Sequence, residues 1–503
     1  MHELTVSHVD RNGEPDTDYG TVIVDNVSGR YNVAFGDDVV STSTLRVPKS
    51  TYTVVSFITT YDPDGGSPVD AELVEPSVTL DQDRTVTFDA RVASPVKVVV
   101  PEANAQSYRT DAIVNVSSEP GYSYEVGLVG PSYDTMLIGQ ADPKARSPWV
   151  NSTLFSTWVP GPVDPEGNVA FSYNLAWRQH GFLPSGATHV VKKSDLAVVH
   201  VDFATQGLVQ SAVTANPWYD GQFNDWARPL VTALPSKRTE YYTTGGGALW
   251  SQDLVELEDY SVHNWTSSTP RSFQRGRTYT EHRNRGVFGP SFDTWSSGGS
   301  YDRVADWVAI AASQVGPAGD WFGASWPGKH HVVLERDGKQ VGELDTRFGA
   351  IRVPDPTKGR YTLTIDSGRG EHELLSTRVT TVYGFDSGHV DGDVGVPLPF
   401  SAIRFSPALD QQNTAPAGTL FAIPVEVLRQ AHSPAAPAKS LTVDVSYDDG
   451  ATWTKAFVLR NGSKGVALVA HPRKAGFVSL RATSADTAGN TVTQTIIHAY
   501  RIA

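Results

Sequence analysis

Turn sequences cut this 503-residue chain into short pieces along its whole length. Asp10-Arg11-Asn12-Gly13, Asp64-Gly65-Gly66 and Asp449-Gly450 are examples. Gly, Asn and Asp tolerate the positive-φ backbone that tight reversals need. Between such turns lie segments at 21–27, 52–60, 84–92, 96–100, 112–117 and 196–204, rich in Val, Ile, Thr, Tyr and Phe. Those side chains pack well on a pleated surface, and strand segments recurring about every 8–12 residues mark sandwiches or barrels. Amphipathic helical patterns are scarce, and the apolar spacing of 304–315 suits either a short helix or a strand. The expected class is all-β.

A chain of this length favours several domains over one. Three or four β-sandwich domains in tandem are expected, of transthyretin-like, jelly-roll-like and immunoglobulin- or fibronectin-like type. Residues 1–95 read as the first; the stretch Leu45-Arg46-Val47-Pro48-Lys49-Ser50-Thr51-Tyr52-Thr53-Val54 resembles the strand–turn–strand of carboxypeptidase-regulatory, transthyretin-like modules. Residues 96–265 and 266–395 divide an aromatic-rich middle, and 396–503 read as an immunoglobulin- or fibronectin-like sandwich. No fixed-period repeat points to a solenoid or propeller.

Composition excludes several kinds of chemistry. A net charge of −14 argues against nucleic acid as a partner, because phosphate binding rests on clustered Lys and Arg. Cys 0 removes disulfides, thiol nucleophiles and Cys-ligated metals. No apolar run approaches a membrane span. The start, Met1-His2-Glu3-Leu4-Thr5, lacks the basic and apolar regions of a signal peptide.

Each motif has a bland reading beside a functional one. Ser446-Tyr447-Asp448-Asp449-Gly450-Ala451-Thr452-Trp453 fits the Asp-box pattern. In such a hairpin the Asp accepts turn N–H groups, the Gly takes positive φ and the Trp packs beneath; Ser446, Asp448, Gly450, Thr452 and Trp453 are therefore expected to be structural. Asp366-Ser367-Gly368 and Asp386-Ser387-Gly388 match the aspartic-protease triplet, but 20 positions separate them, too few for two lobes sharing one proton. Asp386, His389, Asp391 and Asp393, and likewise Asp62, Asp64 and Asp70, are expected to be solvated loop carboxylates, because neither set has EF-hand spacing. His330 and His331 would point to opposite faces of a strand. No metal or cofactor is expected. Arg271, Arg275, Arg277, Arg283 and Arg285, with His282, are read as a solvated face, the alternative being an anion site. Trp218, Tyr219, Phe223, Trp226, Trp307, Trp321 and Trp326 are read first as core, with a sugar-stacking platform as the alternative. No nucleophile elbow, Walker loop or dinucleotide fingerprint occurs.

The run 445–453 is followed by Ala475-Gly476-Phe477-Val478-Ser479-Leu480-Arg481-Ala482, Ala485-Asp486-Thr487-Ala488-Gly489-Asn490 and the ending Ala499-Tyr500-Arg501-Ile502. These resemble the C-terminal region of large, secreted subtilisin-like serine peptidases of actinobacteria. So do the opening Glu3-Leu4-Thr5-Val6 and the middle segment Asn284-Arg285-Gly286-Val287-Phe288-Gly289-Pro290. The family's His-Gly-Thr-His and Gly-Thr-Ser-Met-Ala catalytic segments are missing; His180-Gly181 continues as Phe182-Leu183. The resemblance thus implies an extracellular, non-catalytic accessory region whose partner is a protease domain preceding Met1, with a peptide or glycan surface as a further partner. Two alternatives stand: an independent secreted carbohydrate- or cell-surface-binding protein, and a cryptic β-fold glycoside hydrolase, which would need two carboxylates across one cleft.

Overall fold

A computed structural model describes residues 1–503 except 37–38, 220–221, 224–227, 260, 293–300 and 327, and except the side chains of 222 and 223. The fold is all-β: 59% of the chain is strand, and no helix among the described residues is long and apolar enough to cross a membrane. The ambiguous segment 304–315 forms the strand Trp307–Ala311.

Four sheets are stacked in the first half. The first has three strands, Thr42–Val47, His2–Val9 and Arg84–Asp89. The second has seven, running from Ala187–Val190 through Ser94–Val99, Met136–Gln140, Val69–Leu80, Ser50–Thr60 and Tyr19–Asp25 to the edge strand Tyr31–Phe35. The third also has seven, with Ser123–Gly130 at one edge and Thr278–Arg283 at the other. The fourth is built on Gln210–Tyr219, Leu249–Glu258, Ser261–Ser268 and Trp321–Ser325.

Successive side chains on a strand point to opposite faces, so adjacent apolar residues can serve two cores. Val54 and Leu73 pack toward the first sheet, whereas their neighbours Val55 and Val74 pack toward the third. Leu154 faces the second sheet and Phe155 faces the fourth. The central sheets are thereby covered on both sides, and consecutive sandwiches share a sheet.

The second half has one large core, with a small separate cluster of Phe288, Val315 and Leu375 beside it. A nine-stranded sheet, which includes Gly359–Gly368, Arg378–Ser387, Thr491–Ile502 and Gly476–Asp486, is covered by two four-stranded sheets. One contains Phe348–Arg352, Trp307–Ala311, Tyr301–Val304 and Val396–Pro397; the other contains Ser401–Phe405, Leu420–Arg429, Lys464–Ala470 and Phe457–Asn461. Phe400 stacks on Tyr383 at 4.1 Å and reaches Tyr301 at 5.1 Å, joining the parts of this core. Pairing between Arg378–Ser387 and Thr491–Ile502 runs across the sequence junction at 395/396. The junctions at 95/96 and 265/266 fall inside the strands Ser94–Val99 and Ser261–Ser268.

The two halves meet at the segment 284–290. The Asn284 side chain donates to the Ala204 carbonyl at 3.0 Å and to Glu256 at 2.8 Å. The Gly286 N–H donates to Asn413 Oδ1 at 2.7 Å, and Asn413 Nδ2 donates back to the carbonyls of Thr205 and Asn284. Arg404, 6% exposed, places its guanidinium on the carbonyls of Gly289, Pro290, Gly316 and Pro317. Arg369 crosses the same boundary to Gln206 and Asn264. Buried carbonyls need donors, and these side chains supply them.

Candidate binding cleft

Two stacked sheets end side by side at the edge strands Tyr31–Phe35 and Ser123–Gly130. Each leaves its turn through a glycine with an aromatic residue one or two positions later: Gly29-Arg30-Tyr31 and Gly121-Tyr122-Ser123-Tyr124. The result is a cleft of about 600 Å³ lined by Arg30, Tyr31, Arg46, Tyr52, Tyr122 and Tyr124, among others. Tyr31 and Tyr122 are 57% and 59% exposed, an unusual state for rings of this size. Tyr31 and Tyr124 meet at 5.2 Å between ring centres, and the Tyr124 hydroxyl donates to the Gly29 carbonyl.

The cleft floor is locally fixed. Asp25 accepts the N–H groups of Val27 and Ser28 at 3.0 and 3.2 Å, and the hydroxyls of Ser28 and Ser50. Burial pushes its carboxyl up, but these hydrogen bonds outweigh burial and hold it below its ordinary value. Burial and the nearby Asp25 charge push the Tyr52 hydroxyl up to about 12, and that hydroxyl donates to the Pro48 carbonyl at 2.7 Å. Gly29 has φ +71°, and a Cβ there would come within 2.5 Å of the Tyr122 ring. No described residue accepts a hydrogen bond from the guanidinium groups of Arg30 or Arg46. Rings with an open face stack on sugars or apolar side chains, and free guanidinium groups bind hydroxyls and carboxylates.

The hairpin at 446–453 is a closed local unit. Asp448 accepts the Thr452 N–H at 2.8 Å, the Thr452 hydroxyl at 2.5 Å and the Ser446 hydroxyl at 2.7 Å. These bonds bring its carboxyl down to about 2. Gly450 has φ +87°, and a Cβ there would lie 3.3 Å from the Trp453 ring, which Arg481 covers at 4.6 Å.

The two Asp-Ser-Gly triplets lie at opposite ends of one hairpin. Asp366 is opposite Thr380, whereas Asp386 is opposite Arg360, six strand positions or about 20 Å away. Asp366 is held by Arg378 at 2.7 Å and Asp386 faces Arg360 at 3.4 Å. His389 pairs with Asp306 at 2.7 Å and Asp391 at 3.3 Å. Asp62 caps its own turn through the Asp64 N–H, and Asp70 accepts from Thr59. Among the described residues no three His, Asp or Glu side chains converge as metal ligands. His330 bonds Ser367 and His331 bonds Asp345.

Arg271, Arg275 and Arg277 lie on the expected solvated face, and Arg283 and Arg285 depart from it. Arg283 is 1% exposed and donates to Glu240 at 2.7 Å and to Glu281 at 2.9 Å. Arg271 pairs with Glu281, Arg275 with Asp195, and Arg285 with Asp202. Burial pushes the Glu240 carboxyl up, but Arg283 and Arg238 outweigh it and bring it to about 2. This buried network, closed by the Tyr242 hydroxyl at 2.5 Å, braces the stack. The spacing of the arginines hid it because Glu240 lies 43 residues from Arg283.

The tryptophans divide. Tyr219 and Trp321 are buried, and Trp218 donates to the Ser251 hydroxyl at 2.6 Å. Trp307 and Trp326 are 44% and 51% exposed. Trp226 and the Phe223 side chain lie outside the described residues. Sequence reading missed the tyrosine cleft, since its two edges are about ninety residues apart; a glycine with an aromatic one or two positions later at both turns was the available signal.

No family model matches the chain, and no curated protein matches it. Among solved structures it is similar to the FN1–FN3 domains of chicken CNTN1, at 7% identity and a TM-score of 0.12, over 71% of this chain and 96% of that one. A likeness at that level carries no argument, and the multi-sandwich class rests on the sheets themselves.

Proposed function

We propose that this chain is a non-catalytic accessory region of a secreted subtilisin-like serine peptidase, and that it holds an extended polymer for that enzyme: peptide substrate or a cell-surface glycan. The peptidase association rests on the sequence resemblance. The holding role rests on one observation, the cleft where Tyr31, Tyr122 and Tyr124 stand beside Arg30 and Arg46, whose guanidinium groups have no acceptor among the described residues. Segment 284–290, which carries part of the resemblance, serves as the joint between the halves, in keeping with a scaffold.

The test compares the purified chain with a Tyr31→Ala/Tyr122→Ala variant on immobilised casein and on insoluble cell-wall polysaccharide. Retention on one matrix, lowered at least tenfold in the variant, is expected. Retention on neither, or equal retention of the variant, overturns the holding role. A fluorophosphonate probe should label no serine; specific labelling abolished by Ser→Ala overturns the accessory reading.

A further inference from the structure

The outer face of the sheet formed by Phe348–Arg352, Trp307–Ala311 and Tyr301–Val304 presents a second constellation. Cross-strand partners lie on the same face, so the pairs Phe348–Ala311, Ala350–Ala309 and Arg352–Trp307 form one surface strip. The residues between them on the central strand, Val308 and Ile310, point into the core. Phe348 and Trp307, 51% and 44% exposed, stand at the two ends. Two alanines make a low floor between them. Four strand positions, about 13 Å, separate Phe348 from Arg352.

At the Phe348 end, Arg347 is held between two rings. Its guanidinium lies 3.9 Å from the Phe348 ring centre and 4.5 Å from that of Trp326, itself 51% exposed. Stacking fixes the plane of a guanidinium while leaving its N–H edge free. No described residue accepts a hydrogen bond from the side chain of Arg347 or Arg352. Burial pushes the Arg347 guanidinium down. A half-buried cation with no partner among the described residues is unusual in a chain of net charge −14, where acids outnumber bases 55 to 41. Asp302, on the neighbouring strand opposite Ala309, marks the edge of the strip.

We propose that Trp326, Arg347 and Phe348, continued by Arg352 and Trp307, form a binding site for a carboxylate-bearing polysaccharide of uronic-acid type. The rings take the apolar faces of the sugars, the low alanine floor admits the chain, and each arginine takes a carboxylate through paired N–H donors. A neutral glycan would leave both cations without partners, and a flexible acidic peptide offers no rigid rings to lie against the strip. The site is separate from the tyrosine cleft and does not depend on the function proposed there.

The test is calorimetric titration of the full chain with oligogalacturonate hexamer, with cellohexaose, hexaglutamate and sodium sulfate as separate arms. Oligogalacturonate is expected to bind best, with Kd rising at least tenfold in Arg347→Ala and in Trp326→Ala. Arg347→Lys should recover only part of the loss, because a point charge lacks the planar fork. Phe348→Ala provides a second exposed-face variant should one of these fail to fold. Tyr31→Ala/Tyr122→Ala should bind oligogalacturonate normally. Absence of oligogalacturonate binding, or equal affinity for cellohexaose, overturns the proposal. Equal affinity for hexaglutamate or sulfate reduces the site to a general anion contact and also overturns it. Undiminished binding by folded Arg347→Ala and Trp326→Ala variants places the ligand elsewhere.

Discussion

The two halves of the molecule manage buried polarity differently. In the first half the middle sheets are covered on both faces, so strands such as Val150–Pro160 have almost no solvent side. Polar residues on those strands are forced between sheets. Arg109 pairs there with Asp111, Glu240 with Arg283 and Arg238, and Glu72 is left with no hydrogen-bond partner among the described residues. In the second half the strand Gly359–Gly368 buries Tyr361, Leu363 and Ile365 while Arg360, Thr362 and Thr364 face outward. The buried arginines of that half, Arg303 and Arg404, bond backbone carbonyls, those of Ala305 and of 289–317 respectively. Buried arginines between the stacked sheets thus meet carboxylates, whereas the buried Arg303 and Arg404 of the second half meet backbone carbonyls.

The most damaging way to probe this contrast is to break the inner network. Arg283→Ala leaves Glu240 charged and short of a partner in a fully buried site, which should cost about 3–5 kcal/mol. Urea unfolding that shows a loss under 1 kcal/mol would remove the distinction between the halves.

Glu72 offers a pH test of the same half. It is fully buried, and burial pushes its carboxyl well above 4.5; the Leu128 N–H faces it without closing a hydrogen bond. A folded-state value raised above the unfolded one favours the protonated fold. The associated stability is therefore present below pH 4.5 and is lost as pH rises above it, with a limiting slope of about 1.4 kcal/mol per pH unit. Glu72→Gln should flatten that slope in thermal scans between pH 5 and pH 7. An unchanged slope would show that Glu72 does not titrate as its surroundings require.

In the second half, Tyr361 is fully buried and its hydroxyl has no hydrogen-bond partner among the described residues. Tyr361→Phe should be neutral or stabilising by about 1 kcal/mol, since an unsatisfied buried hydroxyl is removed. A clear loss of stability in denaturant would reveal a polar dependence like that of the first half.

The smallest effect is expected at the solvent-exposed hairpin. Asp448→Ala should lower the melting temperature slightly, with oligogalacturonate and casein binding unchanged. The carboxyl is held down at about 2, so its contribution is present above its ordinary value of 3.8 and fades as pH falls toward 2. A melting-temperature difference between variant and parent that persisted undiminished at pH 2 would contradict that assignment.

The legibility of the sequence follows the same divide. Period-two patterns such as Tyr361, Leu363, Ile365 give strand and face together. The run 52–60 identifies a strand, but its adjacent Val54 and Val55 do not announce that each serves a different core. The 446–453 hairpin was readable because its hydrogen bonds close within eight residues. The tyrosine cleft was not, because its edges come from different sheets. Arg283 departs from the expected solvated face because its neutralising partner Glu240 lies 43 residues away in the sequence, and composition alone does not tell exposed Trp326 from buried Trp321.

The joint between the halves has a consequence in time. Asn284 emerges from a ribosome 129 residues ahead of Asn413, a delay of roughly 6–26 seconds at about 5–20 residues per second. Until then the carbonyls of Thr205 and Asn284 must find water in place of the Asn413 amide that later occupies them. The stack therefore spends its first seconds with an unfinished seam, exposed to chaperones and proteases, and synthesis of the distal half is what seals it.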